Sequence, residues 1–282
     1  MSRTRQSTVG GRGLGADLKE IRLREELSLR HVSRQLGWQP SKISRIENGK
    51  QGITTEDVAS LLAIYGIKGD ERDALIAKTQ VAEKPDYWEV QGPLSKESRT
   101  LSQLEPAAVA ILDMEPLLIP GLLQTPEYTR ALMKAGGLRE EDAEIRVAAR
   151  LARQAILSRE RPPELTVIVD EGALCRPVLE PKLMARQLRR VLEEAERSNV
   201  TVLVLPSALG AHTGLDGAFM ILDFDGEKPV VYLDHKVSGL FLEQIEHVAY
   251  FREQADRLKA VALSVDESLE CVAAIAKELE QE

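Results

Sequence analysis

Cysteine, aromatic residues and long apolar runs are scarce in this chain of 282 residues. Two cysteines, Cys175 and Cys271, are too few and too far apart for a disulfide framework or a zinc site, and we expect two reduced core thiols. No apolar run approaches the roughly 18 residues of a membrane span, and the N-terminus lacks the apolar segment of a signal peptide. We therefore expect a cytoplasmic protein without membrane contact.

Motifs for catalysis and cofactor binding are also lacking. The four histidines recur at no metal-ligand spacing, and the chain contains neither a GxGxxG nor a GxxxxGK[ST] phosphate-binding motif. We therefore predict no metal, no cofactor and no enzymatic activity.

One glycine-rich loop, residues 207–217, leaves a hydrolytic alternative open. Ser207, His212 and Asp216 are the residue types of a hydrolytic triad, but Ser207 lies outside a GxSxG elbow. The loop follows a predicted strand, and open α/β sheets commonly bind ligands at the carboxyl ends of strands. His212, Thr213 and Asp216 are therefore predicted as a loop that binds a ligand or a partner.

The net charge is −8, yet the charge is unevenly distributed. Residues 1–50 contain 11 Lys and Arg against 5 Asp and Glu, a balance of +6, whereas the remainder contains 26 against 40, a balance of −14. A basic face attracts DNA phosphates by releasing condensed counterions, and an acidic remainder is repelled. The distribution favours a DNA-binding N-terminus.

Residues 28–50 predict two short helices joined at a glycine. The first covers 29–36, and Gly37 can take the left-handed conformation that ends it. Pro40 is favoured at the first position of a second helix, 40–48.

The second helix has one apolar side and one hydrogen-bonding side. At about 100° per residue, Ile43 and Ile46 share one side, whereas Ser41, Ser44, Arg45 and Asn48 share the other. Small hydroxyl residues allow close approach to a major groove, and arginine can bond bidentately to guanine. This pattern indicates a recognition helix, although an ordinary amphipathic surface helix has the same pattern.

The N-terminal part, about the first 80 residues, resembles the phage-repressor-like helix-turn-helix family, also called the xenobiotic-response-element family. The match consists of Leu27-Ser28, Val32, Leu36-Gly37 and Ile43-Ser44-Arg45-Ile46-Glu47-Asn48-Gly49-Lys50. Leu29 occupies a position where this family often has a phosphate-contacting glutamine, and Arg30 can replace that contact.

The resemblance implies a set of DNA-contacting residues. Arg45 is predicted to read bases, assisted by Ser41, Lys42 and Ser44. Because one short helix reads few bases, we expect a homodimer on half-sites about 34 Å apart in a double-stranded operator. The predicted set is Arg30, Arg34, Gln39, Pro40, Ser41, Lys42, Ser44, Arg45, Asn48 and Lys50.

Four segments are predicted along the chain. They are a flexible arm (1–13), an all-α domain of five helices (14–84), a linker (85–104) and a second domain (105–282). Tyr87 and Trp88 in the linker are expected to dock onto the second domain or a partner subunit.

The second domain is predicted as a mixed β-sheet with covering helices, which gives an α+β chain overall. A helix at 182–197 should join the first two strands as a parallel βαβ unit, and Asp225-Gly226 should make a hairpin of the last two. Strands are predicted at 165–170, 200–205, 218–224 and 230–233. Further helices are predicted at 139–161, at 240–262 and after a capping box of Ser264 and Glu267.

Five stretches of this domain resemble the C-terminal domain of unknown function in a large family of actinobacterial transcription regulators. They are EPLLIPGLLQTPEYTRAL, ARLARQAIL, VTVLVLPSALGAH, LDGAF and VALSVDESL. The resemblance implies a sequence-specific transcription regulator whose second domain senses a small-molecule effector or binds a small partner protein. The alternatives are an antitoxin-like DNA-binding protein that sequesters a small partner and a DNA-tethered hydrolase.

Overall fold

A computed structural model of the chain describes residues 8–82, 87–90, 99–235 and 238–282. The chain forms two compact units. One contains residues 1–89 together with 240–244, and the other contains 90–239 together with 245–282.

The N-terminal unit is all-α over its described residues 8–82, as predicted. Leu18, Ile43 and Leu61 are fully buried members of its single core. Its five helices are α1 (Val9–Arg24), α2 (Leu29–Leu36), α3 (Pro40–Glu47), α4 (Thr55–Tyr65) and α5 (Gly69–Ala82).

Helix α1 begins inside the predicted flexible arm. Thr8 accepts a hydrogen bond from the Gly11 backbone N–H at 3.0 Å, and Val9 is fully buried. The arm prediction is therefore wrong for residues 9–13, while residues 1–7 lie outside the described part. Glycines lower helix propensity, which hid this turn in the sequence, but their small size lets the turn be buried.

The C-terminal unit contains a mixed sheet. Its strands are β2 (Ala108–Glu115), β3 (Glu164–Asp170), β4 (Val200–Leu205), β5 (Phe219–Phe224) and β6 (Val230–His235). They lie in the order β6-β5-β2-β3-β4, in which β2, β3 and β4 are parallel and β5 is antiparallel to both β2 and β6. The predicted βαβ unit and hairpin are confirmed. Two further strands, β1 (Tyr87–Val90) and β7 (Ser238–Leu242), lie mostly within the residues that belong to the N-terminal unit.

Helices cover this sheet, so the predicted α+β class is confirmed. Helix α10 (Pro181–Ala195) packs on β4 and on α12 (Val265–Gln281), and α11 (Ile245–Val261) packs on β5 and β6. Ser264 and Glu267 form the predicted capping box at the start of α12. The helices of this part are α6 (Arg99–Leu104), α7 (Pro126–Ala135), α8 (Glu140–Gln154), α9 (Glu171–Cys175), α10 (Pro181–Ala195), α11 (Ile245–Val261) and α12 (Val265–Gln281).

Several predicted boundaries differ from the structure. Helix α8 ends at Gln154 and continues as a 3-10 turn, so the predicted helix 139–161 is too long. Strand β7 occupies the start of the predicted helix 240–262, and β1 and α6 lie within the predicted linker. The side chains of Tyr87 and Trp88 lie outside the described part.

Strand β2 was not predicted at all. Its sequence, AVAILDME, is rich in good helix formers, and its pairing partners lie far away in sequence.

The expectation of two core thiols is also wrong. Both cysteines are free, but Cys175 is exposed and Cys271 is partly exposed. In the described part of the chain, no helix is both long and apolar enough to cross a membrane.

Candidate nucleic-acid interface

Helix α2 and the turn after it set the direction in which α3 begins. The Ser28 hydroxyl accepts a hydrogen bond from the His31 backbone N–H at 3.1 Å. At the other end Gly37 is left-handed, with φ 65°, and the Trp38 N–H donates to the Ser33 carbonyl at 3.0 Å. This glycine-terminated end reverses the chain sharply, as the sequence predicted.

Helix α3 has an equally well-defined start and end. Pro40 occupies its first turn, where the absent N–H leaves no donor unpaired. After its last turn Gly49 is left-handed, with φ 66°, and the Lys50 N–H donates to the Arg45 carbonyl at 2.7 Å. The helix is therefore short, with both ends fixed by backbone geometry.

A buried ion pair ties α3 to α1 and α4. Arg22 donates to Glu47 through Nε at 2.7 Å and Nη2 at 2.9 Å, and Tyr65 donates to the same carboxylate at 3.2 Å. The hydrogen bond to Glu47 raises the pKa of Arg22, and burial raises the pKa of Tyr65. Glu47 belongs to the matched sequence motif, but the sequence assigned it no role. The sequence sign of a buried ion pair was an acidic residue directly after Ile46, which lies in the core.

The predicted DNA-contacting residues lie mostly on the surface, whereas Ile43 and Ile46 are buried as predicted. Lys42 and Ser44 are half-buried. The exposed members of the set are Arg30, Arg34, Gln39, Pro40, Ser41, Arg45, Asn48 and Lys50.

Lys42 already has partners within the domain. Its Nζ lies 2.9 Å from Asp57 Oδ1 on α4 and 3.6 Å from the centroid of the Trp38 ring. The Lys42 ammonium is thus held by an acid and an aromatic ring beside the surface that was predicted to contact DNA.

Arg45 and Asn48 differ in how much hydrogen-bonding capacity they retain. Arg45 donates through Nε to Gln51 at 3.1 Å, and its terminal amino groups have no partner within the described residues. Asn48 donates to the Ser44 carbonyl at 2.7 Å and accepts from Lys19 at 3.2 Å. Arg45 is therefore better placed to bind a base edge, whereas Asn48 closes the helix end.

Leu29 packs partly buried against the core of the unit. It presents no polar group at the position of the family's glutamine. Arg30, the residue predicted to replace that contact, is exposed.

His212 is hydrogen-bonded to a different acid from Asp216, the one that the hydrolytic triad would require. His212 Nε2 lies 3.1 Å from Asp170 Oδ2, and the Gly214 N–H donates to His212 Nδ1 at 3.2 Å. Because Nδ1 accepts, the proton of a neutral ring lies on Nε2 and points to Asp170. Asp216 is exposed, so the sequence reading missed the carboxylate that contacts this histidine.

Thr213, the third predicted loop residue, has a buried hydroxyl without a hydrogen-bond partner among the described residues. Among the described residues, no group of three or more Asp, Glu, His or Cys side chains is placed to hold a metal ion.

Two family models match the chain. Residues 14–75 match a helix-turn-helix domain, and residues 98–274 match a domain of unknown function, DUF5753. The two matches occur in the order that the sequence resemblance implied.

Other known proteins add little to these two family matches. No curated protein matches the chain. One similar solved structure is that of TrmBL2, described as an archaeal chromatin protein with a novel mode of DNA binding. It is 11% identical with a TM-score of 0.31, covering 69% of this chain and 60% of its own length. A likeness this weak supports no inference.

Proposed function

We propose that this chain, which belongs to the family with the domain of unknown function DUF5753, is a sequence-specific DNA-binding transcription regulator. The observation that supports this most is helix α3 in its helix-turn-helix domain. Its outer face presents Ser41 and Arg45, while its inner face is fixed to the core by Ile43, Ile46 and Glu47. A rigid helix with a small-residue and arginine face suits a major groove.

Base readout and phosphate binding are assigned to different residues of this surface. Arg45 reads base edges, because its terminal amino groups can bond bidentately to guanine O6 and N7. Arg30, Arg34 and Lys50 hold phosphates, and the local charge of +6 in residues 1–50 adds attraction that weakens with salt.

The protein acts as a homodimer at the nucleoid in this proposal. Two copies of α3 spaced about one helical turn of DNA apart double the number of bases that are read. The actinobacterial two-domain regulators are the proposed relatives, since they share this order of domains.

The C-terminal domain controls when DNA is bound, by sensing a small molecule or by binding a partner protein. Partner binding corresponds to the antitoxin-like alternative, in which the regulator sequesters a small protein. The two roles can be distinguished by experiment. A partner protein co-purifies in stoichiometric amounts, whereas a small-molecule effector raises the thermal stability of the isolated chain.

Genome-wide capture of DNA bound to the tagged full chain, with partner proteins identified from the same sample, tests the proposal. Enrichment of a recurring sequence at promoters is expected. Capture that follows DNA abundance without a shared sequence would refute sequence-specific regulation.

A further inference from the structure

The C-terminal unit contains a cavity of about 130 Å³ between the sheet and α8. Its floor is one face of β2, β5 and β6, because the register places Asp113 opposite Met220 and Met220 opposite Tyr232. Glu115 and Asp234 lie two residues further along β2 and β6 and also line the cavity, with the small Ala218 as a third lining residue. The small side chain of Ala218 leaves room above the sheet.

Asp113 is the least compensated group in the cavity. Its side chain is buried, with 4% exposure for the residue, and the hydrogen bonds described for Arg150, Arg153 and Tyr232 go to other groups than its carboxylate. Burial, followed by repulsion from Asp234, raises the pKa of Asp113 to about 7. A buried carboxylate without a donor is costly, so it either keeps a proton or requires a donor from outside the chain.

The two arginines of α8 that line the cavity are already held by other groups. Arg153 donates to both oxygens of Glu105, at 2.7 and 2.6 Å. Arg150 donates to Gln124 Oε1 at 2.6 Å. None of these hydrogen bonds reaches Asp113, although Arg150 attracts Glu115 and Asp234 through its charge.

The wall of the cavity is preformed. The irregular stretch after β2, which includes the 3-10 turn Gly121–Leu123, is held by two glutamine side chains, one half-buried and one buried. Gln154 donates to the carbonyls of Gly121 and Gln124 at 3.1 and 2.8 Å, and Gln187 donates to the Leu123 carbonyl at 2.9 Å. A site that is already ordered loses little entropy when a ligand binds.

We propose that this cavity binds a small organic amine, whose ammonium group donates to Asp113 while a second donor reaches Glu115 or Asp234. The inference rests on the sensory role proposed for the C-terminal domain. A cavity of roughly 150 Å³ can hold benzene, which has six heavy atoms, so a ligand of that size fits. The carboxylates do not converge on one point as metal ligands in the described part of the chain, which suits a ligand with separated donors.

The charged groups around Asp113 set the pH dependence of this binding. Glu115 on β2 and Asp234 on β6 repel its negative form. Arg150 on α8 attracts Glu115 and Asp234, and Arg153 attracts Asp234. Tyr232 and Glu105 complete the titratable surroundings. An aliphatic amine stays protonated well above pH 8, while Asp113 takes up a proton as the pH falls through about 7. Amine binding should therefore weaken as the pH falls from 8 to 6.

Calorimetric titration of the full chain without DNA tests the proposal. The probes are putrescine and n-butylamine, and the controls are 1,4-butanediol, which has the length of putrescine without its charge, and succinate, which has the opposite charge. Saturable binding of an amine is expected, whereas neither control should bind. Asp113→Asn should weaken amine binding by about tenfold or more, because a charged hydrogen bond is lost.

Glu193→Gln on α10 is the matched control, since Glu193 is exposed and does not line the cavity. It should bind the amine as the unaltered protein does. Thermal melting of Asp113→Asn shows whether the variant is folded, and Glu115→Gln supplies a second test if it is not. The proposal is overturned if neither amine binds, if butanediol binds as well as putrescine, or if the folded variants keep full affinity. Because DNA is absent from the titration, these outcomes are separate from failure of the DNA-binding proposal.

Discussion

Glu47 links the recognition helix to the rest of its domain. It is buried, and it receives hydrogen bonds from Arg22 and Tyr65, which come from two other helices. The pair alone does not prove a large stabilising contribution, because desolvation offsets much of the attraction within a buried ion pair. Removing one of the two partners, however, leaves the charge of the other buried and without compensation.

We expect Glu47→Ala to destabilise the protein by about 3–5 kcal/mol, because Arg22 would then be buried without its partner. Urea unfolding of the full chain followed by circular dichroism measures this change. Glu71→Ala is a suitable control, because Glu71 forms an exposed pair with Arg24 and should leave the unfolding midpoint nearly unchanged. Equal effects of the two substitutions would contradict the role assigned to Glu47.

Lys42 and Asp57 provide a second prediction at the scale of single residues. Asp57→Asn removes the acid that holds the Lys42 ammonium and keeps a side chain of the same shape. We expect tighter DNA binding and a salt dependence steeper by roughly one phosphate contact, a slope change of about 0.9. Fluorescence anisotropy at several salt concentrations measures both quantities. An unchanged slope would show that Lys42 is not available to DNA even when Asp57 is neutral.

The position of α3 against α1 depends on a close backbone approach at Gly15. A Cβ atom at this position would lie 2.2 Å from the Ile46 carbonyl oxygen. The conflict is with backbone, so rotation of a side chain cannot relieve it.

Gly15→Ala should therefore destabilise the protein by about 1–3 kcal/mol and weaken DNA binding, since α3 must move. The sign of the effect is informative. Alanine in place of a glycine inside a helix normally stabilises by about 1 kcal/mol, so a rise in stability would mean that the two helices do not approach as described. Denaturant unfolding and anisotropy on the same samples give the two readouts.

The elements that the sequence predicted well are those with local signals. Gly37 and Pro40 define the turn between α2 and α3, Asp225-Gly226 makes the hairpin, and Ser264 with Glu267 caps α12. In each case the residues that determine the conformation are adjacent in sequence.

The missed features depend on contacts that are distant in sequence. Strand β2 pairs with β3 and β5, and it carries Asp113 and Glu115, acids that are uncommon in a central strand. Likewise, the sequence reading did not anticipate that Asp170 would contact His212 or that Val9 would be buried. The cavity went unpredicted for the same reason, because its floor consists of residues from three separate parts of the chain.

For the molecule as a whole, the charge distribution separates two tasks. Residues 1–50 carry the basic excess, and the remainder carries −14. DNA attraction in this account comes from the N-terminal unit, while the acidic C-terminal unit contains the cavity proposed for a cationic ligand.

Base readout by Arg45 on α3 is the assignment on which the proposed function depends most. Selection of binding sites from random duplex DNA, performed in parallel with the full chain, Arg45→Ala and the control Arg72→Ala, tests it most directly. The Arg72 side chain is 42% exposed and pairs with Asp73. One shared motif with paired half-sites is expected for the unaltered chain and for Arg72→Ala. For Arg45→Ala we expect a relaxed preference at one position of each half-site, with a loss of about 1–3 kcal/mol in binding. Identical base profiles for all three proteins would contradict it.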